Sequence, residues 1–353
     1  MMVQNSKIVI KGMGLTELQT WCKSVGETSF RGIQLYEWMY KKGVERADKM
    51  FNISQKFRNY LDEHAILSTL ELELATQSKL EETIKYLFRL KDNQFIETVS
   101  MVQENRHTVC ISSQIGCNVD CDFCATGKMG FIRNLSIGEI VDQLIYVRNN
   151  VASPITNVVF MGMGEPFLNY DRVIKSAGIF HNPRGFNLGK HRITISTAGI
   201  LPKIKQFIDE EQKYKLAISL NASNDDVRDN IMPINKKWNI RQIIKEGKRF
   251  SLLKRRQVMF EYVLMKGIND SIENAIELAS LLNGVDCKLN IIPYNESDGV
   301  YQRPTEKSLN DFLNILHANQ SGYRILVRWS KGQDIEAGCG QLIYKEKFAT
   351  DIN

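Results

Sequence analysis

The spacing of apolar and polar positions divides the chain in two. Near the start, Leu15 to Val25, Gly32 to Lys42 and Ser54 to His64 carry apolar residues at helical intervals, with Gly26, Thr28, Ser29 and Gly43 as breaks. Short helices joined by tight turns predict a small bundle. Thr83 to Arg89 and Phe95 to Met101 then read as two strands around Lys91-Asp92-Asn93-Gln94. From His107 onward, β-type runs alternate with helical ones. The runs are His107 to Ser112, Asn157 to Met161, Arg192 to Thr197, Lys215 to Leu220, Gln257 to Leu264, Lys288 to Ile292 and Tyr323 to Arg328. Between them, Ser136 to Val147, Tyr170 to Phe180, Leu201 to Ile208, Ile240 to Phe250, Ile272 to Leu282 and Leu309 to His317 have helical periodicity. This alternation specifies parallel βαβ units, and six or seven of them make a full or partial α/β barrel, a partial barrel of (βα)6 type being expected here. The expected division is a helical accessory domain at 1–90, a β-hairpin extension at 91–106, a barrel at 107–345 and a tail at 346–353.

In a barrel of this kind the chemistry follows the strand C-termini. After the first barrel strand comes Cys117-Asn-Val-Asp-Cys121-Asp-Phe-Cys124, which gathers three of the seven cysteines. Cys-x3-Cys-x2-Cys offers three soft thiolates and withholds a fourth ligand, whereas structural zinc normally takes four Cys/His ligands in paired spacings. Iron-sulfur clusters take such thiolates naturally, and three ligands leave one iron open. A zinc knuckle completed by a distant ligand such as His107 is the alternative on the loop alone. After the second strand, Met161-Gly162-Met163-Gly164-Glu165-Pro166 lets the backbone approach a ligand and places a carboxylate for an ammonium group. Later strands end in Ser196-Thr197-Ala198-Gly199, Ser219-Leu220-Asn221 and Pro293-Tyr294-Asn295, hydroxyls and amides suited to ribose or carboxylate. Cys339, between Gly338 and Gly340, sits on a narrow, flexible loop on the catalytic side, and Cys110 lies on the first barrel strand. Cys22 and Cys287 stand in apolar contexts and read as buried small hydrophobes.

Composition narrows the class. At 353 residues with 43% hydrophobic and 24% charged, this is an ordinary globular chain that folds without staples. No apolar run approaches a membrane span, and Met1 to Lys11 has no leader pattern, so a cytoplasmic protein with no membrane partner is expected. That compartment is reducing and turns an odd set of thiols toward metal and catalytic roles. A net charge of +6 and a pI near 8.8 permit a polyanionic partner. Phe30-Arg31 through Lys41-Lys42 mixes aromatics with cations, a pattern that serves RNA contact or simply a core with a solvated face.

The Cys-x3-Cys-x2-Cys spacing resembles that of radical S-adenosylmethionine (SAM) enzymes. Cys110-Ile-Ser-Ser-Gln-Ile-Gly-Cys117 through Cys124-Ala-Thr-Gly127, Gly162 to Pro166, Met232 to Lys237 and Ile335 to Leu342 together resemble the RlmN/Cfr family of radical methyltransferases. The resemblance implies a radical SAM barrel that methylates an unactivated adenine carbon in RNA. It implies one 4Fe-4S cluster on Cys117, Cys121 and Cys124, with SAM as the remaining ligand and two SAM molecules used per turnover. Gly164, Glu165, Ser196, Ser219, Leu220, Asn221 and Asn295 carry over as SAM contacts. Cys339 carries over as the S-methylated residue, Cys110 as the thiol that resolves a covalent RNA adduct by forming a disulfide with it, and Glu97 as proton acceptor. Asn221 departs from the His that many members have there, and cannot titrate near neutral pH. Pro166 favours the RlmN branch, which methylates C2, over the Cfr branch, which methylates C8. The implied substrates are a 23S rRNA adenosine at the peptidyl transferase centre and the adenosine 3′ of the anticodon in tRNA, with a flavodoxin or ferredoxin as electron donor and a monomeric enzyme. Lys236, Lys237, Lys254, Arg255, Arg256, Arg31, Lys41 and Lys42 are candidate phosphate contacts. A zinc-bearing RNA-binding protein and a radical enzyme acting on a small molecule or protein are the other readings.

Overall fold

The structure is a computed structural model describing residues 7–342 apart from 255, 298, 320 and 321. Arg255, the side chain of Lys254 and the expected tail lie outside the described residues. The N-terminal unit is built from α1 (Leu15–Ser24), α2 (Ser29–Tyr36) and α3 (Gln55–His64). Leu18, Trp21, Leu35, Phe57 and Leu61 form their shared apolar side. Gly32 permits the close crossing of α1 and α2, because a Cβ there would lie 2.5 Å from the Gln19 backbone. Ser54 caps α3 by accepting from Phe57 N. After α2 the chain continues as a π-helical turn, Glu37–Lys41.

Besides a separate small pair around the cysteine loop, Gln114–Gly116 with Phe131–Asn134, a ten-stranded sheet is the centre of the rest: β1 (Leu70–Gln77), β2 (Thr83–Leu90), β3 (Phe95–Gln103), β4 (Arg106–Cys110), β5 (Asn157–Phe160), β6 (Ile193–Thr197), β7 (Lys215–Ser219), β8 (Val258–Leu264), β9 (Cys287–Pro293) and β10 (Tyr323–Val327). Each strand pairs with its neighbours in sequence, so spatial order equals chain order. β1 to β4 are antiparallel; β4 to β10 are parallel. The parallel strands are joined by α4 (Ile137–Asn150), α5 (Tyr170–His181), α6 (Leu201–Asp209), α7 (Asp225–Ile231) with α8 (Ile240–Lys254), α9 (Ile272–Leu281) and α10 (Glu306–Ala318). This is the expected α/β partial barrel.

Two boundaries differ from expectation. The first 90 residues are helical only to His64, and the remainder supplies β1 and β2. The hairpin is likewise no appendage, because β2 and β3 continue the barrel sheet through β4. Along β1, Leu70, Leu72 and Leu74 alternate with Glu71 and Glu73, strong helix formers spaced as a strand. Both glutamates are exposed and pair with Arg89 at 3.2 and 3.3 Å, charging an otherwise open sheet edge.

The helical unit is tied to the barrel by a buried charge. Lys11 Nζ lies 3.0 Å from Asp142 on α4, and both side chains are fully buried. The other Asp142 oxygen accepts from the backbone and hydroxyl of Thr69, each at 2.7 Å. Gly12 and Gly138 meet so closely that a Cβ on Gly12 would stand 2.5 Å from Gly138 N. One apolar core therefore runs continuously from Leu18 through Val141 to Leu289. Removing one member of a buried pair strands the other. Asp142→Ala should cost about 3–5 kcal/mol in urea unfolding, with much of it recovered in Lys11→Met/Asp142→Leu. A loss under about 1 kcal/mol would place the pair among weak surface contacts.

Candidate active site

The C-terminal ends of β5 to β10 surround an open cleft of about 840 Å³. Cys117, Cys121 and Cys124 stand on one wall; Gly164, Glu165, Ser196, Ser219 and Asn221 stand on the others, with Cys339 at the edge. Burial, reinforced by nearby charges, pushes the Cys117 thiol up to about 12 and raises Cys121 and Cys124 as well. Bound metal offsets that penalty, since coordination deprotonates a thiol outright. Among the described residues, no three Cys, His, Asp or Glu side chains converge on a single ion. A cubane asks for less convergence, because each thiolate binds a different iron. Soft donors, an open fourth position and a largely apolar cleft with a few polar groups, Glu165, Ser196, Ser219 and Asn221, beside them fit an iron-sulfur cluster with a cofactor.

The loops are held by the residues that line them. Glu165 is buried, its carboxylate accepting from Phe167 N at 2.9 Å and Ala198 N at 2.6 Å, which joins the ends of β5 and β6. Burial pushes it up to about 7, with the backbone donors pulling the other way. Pro166 begins a short 3-10 turn directly after it. Asn221 has φ 56°, a left-handed conformation that asparagine tolerates. Its Oδ1 accepts from Val263 N, so the amide that replaces the expected histidine serves the backbone of the next strand. Leu220 is fully buried behind the wall, and its carbonyl accepts from Arg228. Asn295 is also behind the wall, donating to Ser330 Oγ at 2.8 Å and to the Cys339 carbonyl at 3.2 Å.

The expected flexible loop around Cys339 is instead clamped. Ala125 N donates to Gly340 O, and Thr126 Oγ1 donates to Leu342 O at 2.7 Å, stitching the segment to the cysteine loop. Gln341 bridges Gly338 N and Glu296 O. A second, smaller pocket adjoins the cleft, and both Cys110 and Cys339 line it. Met161, Arg328 and Cys339 belong to both spaces and form the partition. Glu97 lies outside both walls. It is buried two residues along β3 from Val99, the register partner of Cys110, and pairs with Lys85 at 3.2 Å.

Three charged residues escaped the sequence reading. Arg328, just past β10, is held firmly protonated by Cys339, with Glu261 and Cys110 adding to it against burial. Glu261 on β8 lines the cleft and accepts from Asn290 at 2.9 Å. Arg228, fully buried, donates to the carbonyls of Ala198, Ser219 and Leu220 and to Asn235, fixing the ends of β6 and β7. A carboxylate inside the apolar run Val258 to Leu264 was the available signal for Glu261. Among the candidate phosphate contacts, Lys236 and Lys237 are exposed, Lys42 covers the Trp38 ring at 3.5 Å, Arg31 bonds Gln34 and Arg256 the Lys213 carbonyl. Cys22 and Cys287 are buried.

A model of the Radical SAM superfamily matches residues 111–279, and a model of the ribosomal RNA large subunit methyltransferase N-terminal domain matches residues 8–67. The fold and the cysteine cleft thus define a radical SAM enzyme, which implies SAM and a 4Fe-4S cluster as cofactors. The chain is 39% identical over 337 residues to the dual-specificity RNA methyltransferase RlmN of Geotalea uraniireducens (strain Rf4), spanning 95% of this chain and 96% of that one. It is 41% identical over 341 residues to RlmN of Aliarcobacter butzleri (strain RM4018), spanning 92% and 94%. The crystal structure of a radical SAM methyltransferase from Sphaerobacter thermophilus matches with a TM-score of 0.90 at 40% identity, covering 95% of this chain and 99% of that one. The chain belongs to the RlmN family of radical SAM RNA methyltransferases.

Burial pushes the Cys110 thiol up to about 12. Because burial favours the neutral thiol, its thiolate fraction rises with pH toward that value. At pH near 8 the folded protein should alkylate at Cys110 roughly a thousandfold more slowly than an ordinary thiol. Peptide mass spectrometry after timed iodoacetamide treatment checks this, and labelling at the unfolded rate contradicts it.

Proposed function

We propose that the enzyme methylates C2 of an adenosine in 23S rRNA at the peptidyl transferase centre, and of the adenosine 3′ of the anticodon in tRNA, through a methyl group carried on Cys339. The observation that carries this reading is the shared cavity: Cys110 and Cys339 face one space, and Cys339 also borders the cleft of the three cysteines. The similar proteins of Geotalea uraniireducens and Aliarcobacter butzleri are dual-specificity RNA methyltransferases, which supports two RNA substrates. Pro166 supports C2 over C8.

In this reading Cys117, Cys121 and Cys124 hold one 4Fe-4S cluster. Gly164, Glu165, Ser196, Ser219 and Asn221 receive SAM, with Leu220 and Asn295 acting from behind. When bound, these cofactors supply a transferable methyl group and a 5′-deoxyadenosyl radical, from two SAM molecules per turnover and an electron from a donor such as flavodoxin or ferredoxin. Cys339 takes the methyl group as a thioether and then gives up one hydrogen atom from it. The carbon radical adds to the adenine and joins protein to RNA; the adduct would give one electron back through the cluster held by Cys117, Cys121 and Cys124, offsetting the one the donor supplied, and Glu97 takes the proton displaced from the ring. Lys85 balances the Glu97 charge. Attack of the Cys110 sulfur on that of Cys339 forms a disulfide, breaks the sulfur-carbon bond and leaves the methyl carbon to be protonated. Arg328, between both thiols and Glu261, keeps a positive charge where the thiolate develops. Exposed Phe30 and Phe51 and the cations Lys41 and Lys42 on the N-terminal unit suit splayed bases and backbone phosphates.

Cys110→Ala should therefore stall as a covalent protein-RNA species after anaerobic reaction with SAM and protein-free 23S rRNA, visible on a denaturing gel and by mass spectrometry. Cys339→Ala should give neither the crosslink nor a modified base. A crosslink that survives Cys339→Ala would refute the carrier role.

A further inference from the structure

The opposite mouth of the barrel carries a second chemistry. Along a strand, residues four apart face the same side; Arg192 and Gln257 lie one residue before their strands and are placed by their bonds to Asn157 and Asp286. Four positions before Cys110, Ser196, Ser219, Ile292 and Arg328 stand Arg106, Arg192, Lys215, Lys288 and Arg324. The two remaining strands place Asn157 four before Met161 and Gln257 four before Glu261. The N-terminal rim of the barrel therefore gathers five cations and two amides, with one carboxylate, Asp286, beside Gln257. Lys288 and Arg324 are register partners on β9 and β10.

None of the five cations has an ion-pair partner among the described residues. Their side-chain hydrogen bonds are to neutral groups: Arg106 Nε to Thr108 Oγ1 at 3.1 Å and Arg192 Nη1 to Asn157 Oδ1 at 3.4 Å. Asp286, on the same rim, accepts from Gln257 at 2.8 Å. The cations repel one another. Burial first, then Arg328 and Arg192, lowers Arg106; burial first, then Lys288, Arg106 and Arg192, lowers Lys215. Arg106, Arg192 and Arg324 remain exposed, so the mouth is accessible. Like charges gathered on one rim are destabilising unless an anion joins them.

We propose that this rim is a binding site for a phosphate group, separate from the reaction cleft. Guanidinium forks match phosphate oxygens in pairs, and lysines add point charges. A curved rim of cations drawn from several neighbouring strands suits a compact polyphosphate better than a straight stripe that would track a long backbone. The phosphate comes either from a free nucleoside polyphosphate or from the 5′ end of an RNA chain.

Titration calorimetry of the holoenzyme at fixed ionic strength tests the site, with pyrophosphate as the probe. Wild type should bind it, and Arg192→Gln/Lys215→Gln should bind at least about tenfold more weakly, a loss of about 1.4 kcal/mol. Displacement of pyrophosphate by ATP assigns the free nucleotide as the source; displacement by 5′-phosphorylated but not 5′-hydroxyl RNA assigns the RNA terminus. Formation of 5′-deoxyadenosine should be unchanged in the variant, which shows that it is folded. Lys288→Gln is the second variant should the double one fail to fold. Equal pyrophosphate binding by wild type and variant, or binding by neither, overturns the site.

Discussion

The site depends on a backbone seam between two ends of the chain. Ala125 donates to Gly340, and Thr126 to Leu342, so the segment bearing Cys339 is fastened to the loop bearing the cluster thiols. Asn295 clamps the Cys339 carbonyl from the side. Glycine on either side of Cys339 is a steric requirement, because a Cβ on Gly338 would lie 2.8 Å from Asn295 and Gly340 has φ 83°. A thiol on a free loop would need to find its substrate; this one is held at the partition between two cavities.

Around that seam, polar groups are buried only where they organise the strand ends. Arg228 gathers the carbonyls at the ends of β6 and β7, Glu165 gathers the amides between β5 and β6, and Asn221 secures β8. Each is satisfied largely by backbone, as a buried polar group must be. Arg328 and Glu261 differ, since their charges face the cavities. The reaction cleft and the cationic rim then lie at opposite ends of the same strands, four residues apart in the sequence of each.

The barrel was legible because its periodicity is strong: every expected barrel strand and each of the helices between them is present. β1 was not, because Leu-Glu-Leu-Glu-Leu satisfies helix propensity while its spacing is that of a strand, and its exposed edge gave no run of apolar residues. The cysteine loop and Glu165 could be read from local spacing. The meeting of Cys110 with Cys339 could not, since it is made by sheet order and by the seam, both long-range. The same holds for Arg328 and Glu261, which lie on different strands and come together only when the sheet curves. Asn221 shows a further limit: its backbone conformation, invisible in the sequence, gives a reason for the residue that a comparison with histidine does not.

The central claim is methyl transfer to adenine C2 through Cys339. It is tested most directly by nucleoside mass spectrometry of protein-free 23S rRNA after anaerobic reaction with the reconstituted enzyme and SAM carrying a deuterated methyl group. The account predicts 2-methyladenosine, and S-methylation of Cys339 in the protein recovered from the same reaction. Production of 8-methyladenosine would contradict the C2 assignment, and unmodified RNA beside unmethylated Cys339 would contradict the carrier mechanism itself.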